Sequence, residues 1–337
     1  MKPKILITGG TGYIGSHTAV ELMECGHHVV VMDNLCNSSQ KVLERLEALA
    51  GKNLTFIEAD VRHTPTLDKI FHEHDIQGVI HFAGLKAVGE SVLQPLRYFD
   101  NNVGSTLCLL QAMDRANLRR IVFSSSATVY GDPEHVPIPE SSKLHVTNPY
   151  GRTKLICEDI LRDLQQSDSR WHVAILRYFN PVGAHSSGTI GEQPNGIPNN
   201  LMPYITQVAS GKRDHLSIFG NDYTTPDGTG VRDYIHVVDL AQGHLAALTY
   251  LTEHQQSITV NLGTGLGVSV KQLADIFSEV TGVPVPYHYA NRRTGDVAAC
   301  YANTFLAETK LNWKAKLGVE RMCSDAWRWQ LQNPEGY

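Results

Sequence analysis

The sequence predicts an α/β fold, a doubly wound parallel sheet with a smaller α/β substrate-binding domain at the carboxyl end. Three observations carry that prediction. Short, unbroken apolar and β-branched runs alternate with longer helical patterns through the first half of the chain. Strands buried on both faces and joined by helices have this pattern. The first run ends in a glycine cluster, Thr8-Gly9-Gly10-Thr11-Gly12-Tyr13-Ile14-Gly15, that opens a helix. Finally, the chain has 337 residues, and at about 150 residues per domain this gives roughly two domains.

Lys4–Thr8 reads as the first strand, with a helix over 14–25 behind it. His28–Asp33 is the second strand, followed by a helix from about 40. A third strand covers 54–58, then a helix over 66–74, and a fourth strand covers 78–82. One long helix is expected over 95–116, then a strand at 120–124, a helix over 149–168 and a strand at 172–177. From 180 to 200 the chain is rich in Gly, Pro, Ser and Asn and reads as a long loop, the kind that often carries function. Beyond it come a helix at 201–211, a strand at Leu216–Phe219, a helix at 237–251 and a strand at Ile258–Leu262. Helices at 269–281 and 320–332 complete the pattern. Residues 1–180 are expected to form the cofactor domain, with some later segments returning to it, and 181–337 mainly the substrate domain.

Composition narrows the function. Hydrophobic residues make up 42% and charged residues 19%, as in a globular chain. Lys+Arg 29 against Asp+Glu 34 leaves a net charge of −5, which argues against a nucleic-acid or membrane-surface binder. No apolar run reaches the roughly 18 residues that span a bilayer. Only Ile5, Leu6 and Ile7 precede the glycines, too few for a secretion signal. The six cysteines form no CxxC pair and read as reduced thiols of a cytoplasmic protein. His72-Glu73-His74-Asp75 is no metal site, because consecutive helical residues point to different faces.

The glycine cluster fits GxGxxG through Gly10, Gly12 and Gly15, and GxxGxxG through Gly9, Gly12 and Gly15. Such glycines permit a tight turn and bring backbone N–H groups to a pyrophosphate at a helix N-terminus. Asp33 follows 18 residues after Gly15, at the end of the second strand. A carboxylate there accepts from ribose hydroxyls and repels a 2′-phosphate, which favours NAD over NADP. This is the Rossmann-type arrangement. Asp60 and Val61 follow the third strand, and Phe82, Ala83, Gly84 and Lys86 follow the fourth, all at the carboxyl edge where ligands bind.

The fifth strand runs into Ser124-Ser125-Ser126, and Tyr150 and Lys154 share one face of the next helix. A phenol has an ordinary pKa near 10 and is a poor base at neutral pH. A neighbouring ammonium and a positive nicotinamide ring would lower it. A serine hydroxyl opposite would position a substrate hydroxyl and relay its proton.

With these residues in place the chain resembles the extended short-chain dehydrogenase/reductases, and within them the NAD-dependent UDP-galactose 4-epimerases. The resemblance covers nearly the whole chain. It rests on TGGTGYIGSHT at 8–18, HFAGLKAVGES at 81–91, SSSATVYGD at 124–132, NPYGRTK at 148–154, RYFNPVGAH at 177–185, GIPNNLMPY at 196–204 and GTGVRDYIHV at 228–237. It implies tightly bound NAD, a UDP-hexose substrate and inversion at C4 through a transient 4-keto sugar. The catalytic residues it implies are Ser126, Tyr150 and Lys154. To the cofactor it adds Tyr13, Ile14, Asn34, Leu35, Cys36, Asn37, Ser38, Leu85, Asn101, Ser124 and Tyr178. To the substrate it assigns Lys86, Phe179, Asn180, Asn200, Leu201, Ser217, Ile218, Phe219, Arg232, Tyr234, Arg293, Asp296 and Cys300. It also implies a homodimer through a four-helix bundle of the helices near 95–116 and 149–168. Leu107, Leu109, Leu110, Cys157 and Ile160 are the apolar residues there, though the sheet could absorb them.

Two features separate this chain from its neighbours in that superfamily. Dehydratases of similar sequence carry an acidic pair just after the strand-five Ser/Thr, and decarboxylases a Glu; here Ala127 and Thr128 stand there. Four residues past the Asp of the 293–296 segment, epimerases limited to plain hexoses typically have Tyr, whereas this chain has Cys300. The smaller side chain implies room for an N-acetyl group. A slip of one residue would bring Tyr301 to that wall instead.

Overall fold

The computed structural model describes residues 2–196, 198–293 and 295–337, so Ile197 of the 196–204 segment lies outside the described residues. The first half builds β1 (Lys4–Thr8), α1 (Tyr13–Glu24), β2 (His28–Asp33), α2 (Lys41–Ala50), β3 (Thr55–Glu58), α3 (Thr64–Glu73) and β4 (Ile76–His81). α4 (Val88–Leu93), α5 (Pro95–Tyr98), α6 (Gly104–Arg115), β5 (Arg120–Ser126), α7 (Pro149–Ser167) and β6 (His172–Tyr178) follow. The second half carries β7 (Asn180–Val182), α8 (Leu201–Ala209), β8 (Leu216–Phe219), β9 (Val231–Arg232), β10 (Tyr234–His236), α9 (Val237–His254) and β11 (Ile258–Leu262). It ends in β12 (Val268–Ser269), α10 (Val270–Thr281), β13 (Tyr287–Ala290), β14 (Ala299–Cys300), α11 (Phe305–Lys310) and α12 (Val319–Gln332).

Seven parallel strands form the main sheet in the order β11-β6-β5-β4-β1-β2-β3. Alternate residues along each strand feed two separate cores. Ile5, Ile7, Val29, Val31, Val122, Leu176 and Val260 pack with α1, α2 and α9. Leu6, Val30, Met32, Ile121, Phe123, Val173 and Ile175 pack with α3, α6 and α7. The strands therefore need apolar residues at every position, hence the unbroken runs. The strand order reverses between β1 and β4, which opens a crevice at their carboxyl ends. β8, β10, α8, α10 and α12 surround a third core.

The structure refines three expectations. The helix over 95–116 runs without a gap but is not uniform: residues Phe99–Val103 form a wide π turn between α5 and α6. Such turns cluster at functional sites, and this one carries the buried Asn102. The 180–200 segment is not all loop, because β7 pairs in parallel with β10. The apolar residues expected at a dimer face are largely internal: Leu109, Leu110 and Cys157 belong to the core under the sheet.

Candidate active site

The glycine turn is built by close approach. Gly9 has φ +71°, and a Cβ there would lie 2.7 Å from the Ala83 nitrogen. A Cβ on Gly15 would lie 2.3 Å from the Gly9 carbonyl oxygen, so α1 can sit down on the turn only without one. At Gly12, the N-cap, a Cβ would meet the Gly9 oxygen at 3.3 Å. No side chain caps α1 at Gly12, so no side chain competes for its opening N–H groups. Tyr13 and Ile14 supply the first two of these.

Asp33 ends β2 and is buried. Its carboxylate accepts from the Thr11 nitrogen at 3.1 Å, the Leu35 nitrogen at 2.9 Å and the Ser38 hydroxyl at 3.2 Å. Leu35, at φ +57°, turns the chain there, with Cys36 and Asn37 exposed beyond it. Asp60 accepts from the Asn34 amide at 3.0 Å and from Arg62. The Arg62 guanidinium holds its carboxyl well below the usual range. Val61 is buried in the core beside it. An uncapped helix start, a cradle that tolerates no Cβ and two carboxyl acceptors beyond it fit a dinucleotide along the edge of the sheet.

The turn after β4 closes the other side. Phe82 stacks on His244 with centroids 4.7 Å apart, and Ala83 donates its N–H to Thr8 at 3.1 Å. Gly84 leads to Leu85, whose N–H and C=O both pair with the Asn102 side chain, at 2.8 and 3.0 Å. Asn102 also donates to Thr153 on α7 at 3.0 Å. The expected Asn101 is its half-buried neighbour on the π turn. Asn102 is the clamp, a role only the wide turn reveals.

Asn148 caps α7 by accepting from the Gly151 nitrogen at 2.8 Å, and Pro149 sits in the first turn. This start sets Tyr150 and Lys154 against the end of β5. Ser124 and Ser126 lie on one face of that strand and Ser125 on the other. Ser124 pairs with the Tyr178 hydroxyl, and Ser125 donates to the buried Glu158. Lys154 donates to the Ser124 carbonyl at 2.6 Å. Thr128 donates its N–H at 3.2 Å and its hydroxyl at 3.0 Å to the Ser126 hydroxyl oxygen. Thr128, in sequence no more than a residue without a carboxyl, thereby orients Ser126; the Ser-x-Thr spacing is its signal.

The electrostatics correct one expectation. The phenol of Tyr150 is not lowered in the protein alone: burial pushes it up to about 12, against a hydrogen bond from Ser126 that pulls it down. Burial lowers Lys154 to about 8, while Cys157 and Glu158 oppose that shift. Desolvation wins because both groups are buried and the opposing contributions are smaller.

The second half supplies the other wall. Arg293 lies over the Phe219 ring at 4.7 Å and donates to Asp296 at 2.9 Å; Arg232 is 3.9 Å from the same carboxylate. Phe179 and Tyr234 are buried behind exposed Asn180. Ser217 pairs with His288 at 3.2 Å. The Ile218 side chain lies in the third core, so only its main chain could meet a ligand. Asn200 stands at the N-cap position of α8, just before Leu201, without a side-chain capping bond. Cys300 pairs in register with Arg232 and packs on the cluster that holds Phe179 and Ala127. Tyr301 turns the other way: a Cβ on Gly267 would lie 3.0 Å from its ring. Asp233 was not foreseen. Fully buried, it accepts from the nitrogens of Thr264, Gly265 and Ala302 at 2.8, 3.0 and 3.1 Å. It thereby pins the strand that presents Cys300. Among the described residues no cluster of three metal-ligating side chains occurs, and no helix is long and apolar enough to cross a membrane.

A parallel sheet with a glycine cradle at its switch point and a Ser-Tyr-Lys set at the same edge defines a nucleotide-dependent short-chain dehydrogenase/reductase. Residues 6–326 match the family described as GDP-mannose 4,6 dehydratase. Within this group, the chain is 58% identical over 333 residues to UDP-glucose 4-epimerase of Bacillus subtilis (strain 168), covering 99% of this chain and 98% of that protein. The structure of UDP-glucose-4-epimerase from Stenotrophomonas maltophila, with bound NAD and formylated UDP-arabinopyranose, superposes with TM-score 0.98 at 50% identity, covering 99% of both chains. The UDP-Glc/GlcNAc 4-epimerase of Campylobacter jejuni superposes with TM-score 0.86 at 37% identity, covering 98% of this chain and 100% of that one. The chain belongs to the UDP-glucose 4-epimerase family.

Proposed function

We propose that this protein interconverts UDP-glucose and UDP-galactose by inverting the sugar at C4, using tightly bound NAD. The observation that carries the reading is the meeting of Ser126, Tyr150 and Lys154 at the carboxyl edge of the sheet, beside the glycine cradle. Gly9, Gly12, Gly15 and Asp33 would hold NAD, with Ser124, Lys154 and Tyr178 at its nicotinamide end. Bound there, NAD would accept a hydride from C4 and return it to the other face of the transient 4-keto sugar.

The chain's own residues manage the proton. Tyr150 takes it from the 4-hydroxyl oxygen and returns it after the sugar has turned over. Ser126, oriented by Thr128, holds that hydroxyl against the phenol. Lys154 is the cation the chain offers to stabilise the phenolate, one helical turn away. Arg232 and Arg293 suit the pyrophosphate by forked, charged hydrogen bonds, and Asp296 a ribose diol. Ala127 and Thr128 leave no carboxyl where elimination or decarboxylation would need one.

The small wall at Cys300 supports a second substrate pair, UDP-GlcNAc and UDP-GalNAc. We further read the protein as a homodimer: Val92, Leu93 and Leu96 are 60%, 82% and 82% exposed at one end of α4 and α5. These, rather than the internal leucines of α6, would join α7 in a bundle with a second copy. Six free cysteines suit the cytoplasm, with galactose metabolism as the setting. The decisive assay is interconversion of the plain UDP-hexoses by purified protein without added NAD. Tyr150→Phe should cut turnover by roughly 10²–10⁴-fold with UDP binding retained. Undiminished turnover in the Phe variant would remove the base from this mechanism.

A further inference from the structure

The seam between the two halves of the site is bridged by one carboxylate. Glu192 lies in the Gly/Pro-rich segment after β7, and its side chain is 10% exposed. Its Oε1 accepts from the Lys86 ammonium at 2.9 Å and from the Asn200 amide at 2.6 Å. Lys86 stands on the turn after β4, on the cofactor side, and Asn200 starts α8, on the nucleotide-sugar side. The Lys86 nitrogen also lies 6.0 Å from the centre of the Tyr13 ring, and Tyr13 donates its hydroxyl to the Gly183 carbonyl at 2.7 Å.

The backbone around Glu192 is fastened from the opposite side. Trp329 on α12 donates to the Glu192 carbonyl at 3.2 Å. The Tyr337 hydroxyl both accepts from the Gly191 nitrogen at 3.1 Å and donates to its carbonyl at 3.0 Å. Arg45 donates to the Thr189 carbonyl at 2.8 Å. A carboxylate on so constrained a segment has a fixed reach, and its two donors lie far apart in the chain, Lys86 after β4 and Asn200 before α8.

We propose that Glu192 is a positioning residue that holds Lys86 and Asn200 as a matched pair of donors facing the diphosphate of the nucleotide sugar. It rests on the reading of the site as one for a UDP-hexose. Lys86 keeps two further N–H groups and Asn200 one, so the bridge leaves both able to donate to phosphate oxygens. The acceptor oxygen at full reach does the positioning; the negative charge does not, since a carboxylate beside a diphosphate is repulsive.

Reach and charge separate in two variants. Glu192→Gln keeps the acceptor where it is and removes the charge. Glu192→Asp keeps the charge and withdraws the oxygens by one methylene. KM for UDP-glucose and the dissociation constant of UDP alone, by calorimetry, should rise about tenfold in the Asp variant, whose withdrawn oxygens no longer bridge the two donors. Both should stay within about threefold of wild type in the Gln variant. The turnover number should change little in either. The proposal is overturned if Asp binds UDP like wild type, if Gln weakens UDP as much as Asp, or if turnover falls while KM holds. UDP calorimetry reads the bridge without any catalysis, so a failed epimerase assay leaves this test standing.

Discussion

At Cys300, we propose, a single side chain sets what the sugar pocket admits. Its thiol is pushed up to about 11 by burial, so it stays neutral, which suits a small wall better than a nucleophile. Cys300→Tyr should reduce UDP-GlcNAc turnover about ten- to a hundredfold, because filling a fixed wall costs about 1–3 kcal/mol. Turnover of UDP-glucose should stay within about threefold; the two rates, measured side by side on both variants, decide it. Wild-type protein without N-acetyl turnover would dismiss the idea. Residues whose place follows from type and spacing were legible from the sequence: Tyr150 and Lys154 against the end of β5, Asp33 as an acceptor, the glycines as open backbone. Thr128, Asn102, Glu192 and Asp233 were not. Each acts through a neighbour that only the folded chain brings near, and none has a spacing that announces the partner.

Elements were readable chiefly where burial is extensive. β1 and β2 fall on their expected residues, because a strand sandwiched between two helix layers must be apolar throughout, and β8 and β11 fall on theirs although they are only half buried. The two-residue strands β9, β12 and β14 went unseen, since so short a pairing leaves no period to read. The π turn escaped because hydrophobic spacing reports a face, not one residue inserted into a turn. α1 and its glycine turn act as one element. Gly15→Ala would drive a methyl to 2.3 Å from a backbone oxygen that has nowhere to go. We expect a loss of about 1–3 kcal/mol in denaturant melts, together with loss of NAD from the purified protein. Wild-type stability with full NAD content would show that α1 can shift without cost.

Across the whole molecule, acid sensitivity follows from buried imidazoles. Burial lowers His17 and His81 to about 3 and His244 to about 4, from an ordinary 6.5. The unfolded chain takes up these protons near pH 6.5 and the folded chain does not, so stability is present above that pH and is lost as pH falls toward 3–4. Each such group contributes on the order of 1 kcal/mol per pH unit inside that window. His244 packs between Phe82 and Tyr178 with its Nε2 unpartnered. His244→Phe should therefore flatten the fall of Tm between pH 6.5 and 4, and an unchanged slope would exclude this residue as a source. The sheet order has a consequence for how the chain comes off the ribosome. β6 gains its outer neighbour only from β11, and α9, which covers the sheet on that side, is also made late. Until synthesis passes Leu262, the nascent chain presents β6 as an open edge able to pair with other chains. A fragment cut near 180 keeps that edge for good, so it should aggregate where the intact chain does not.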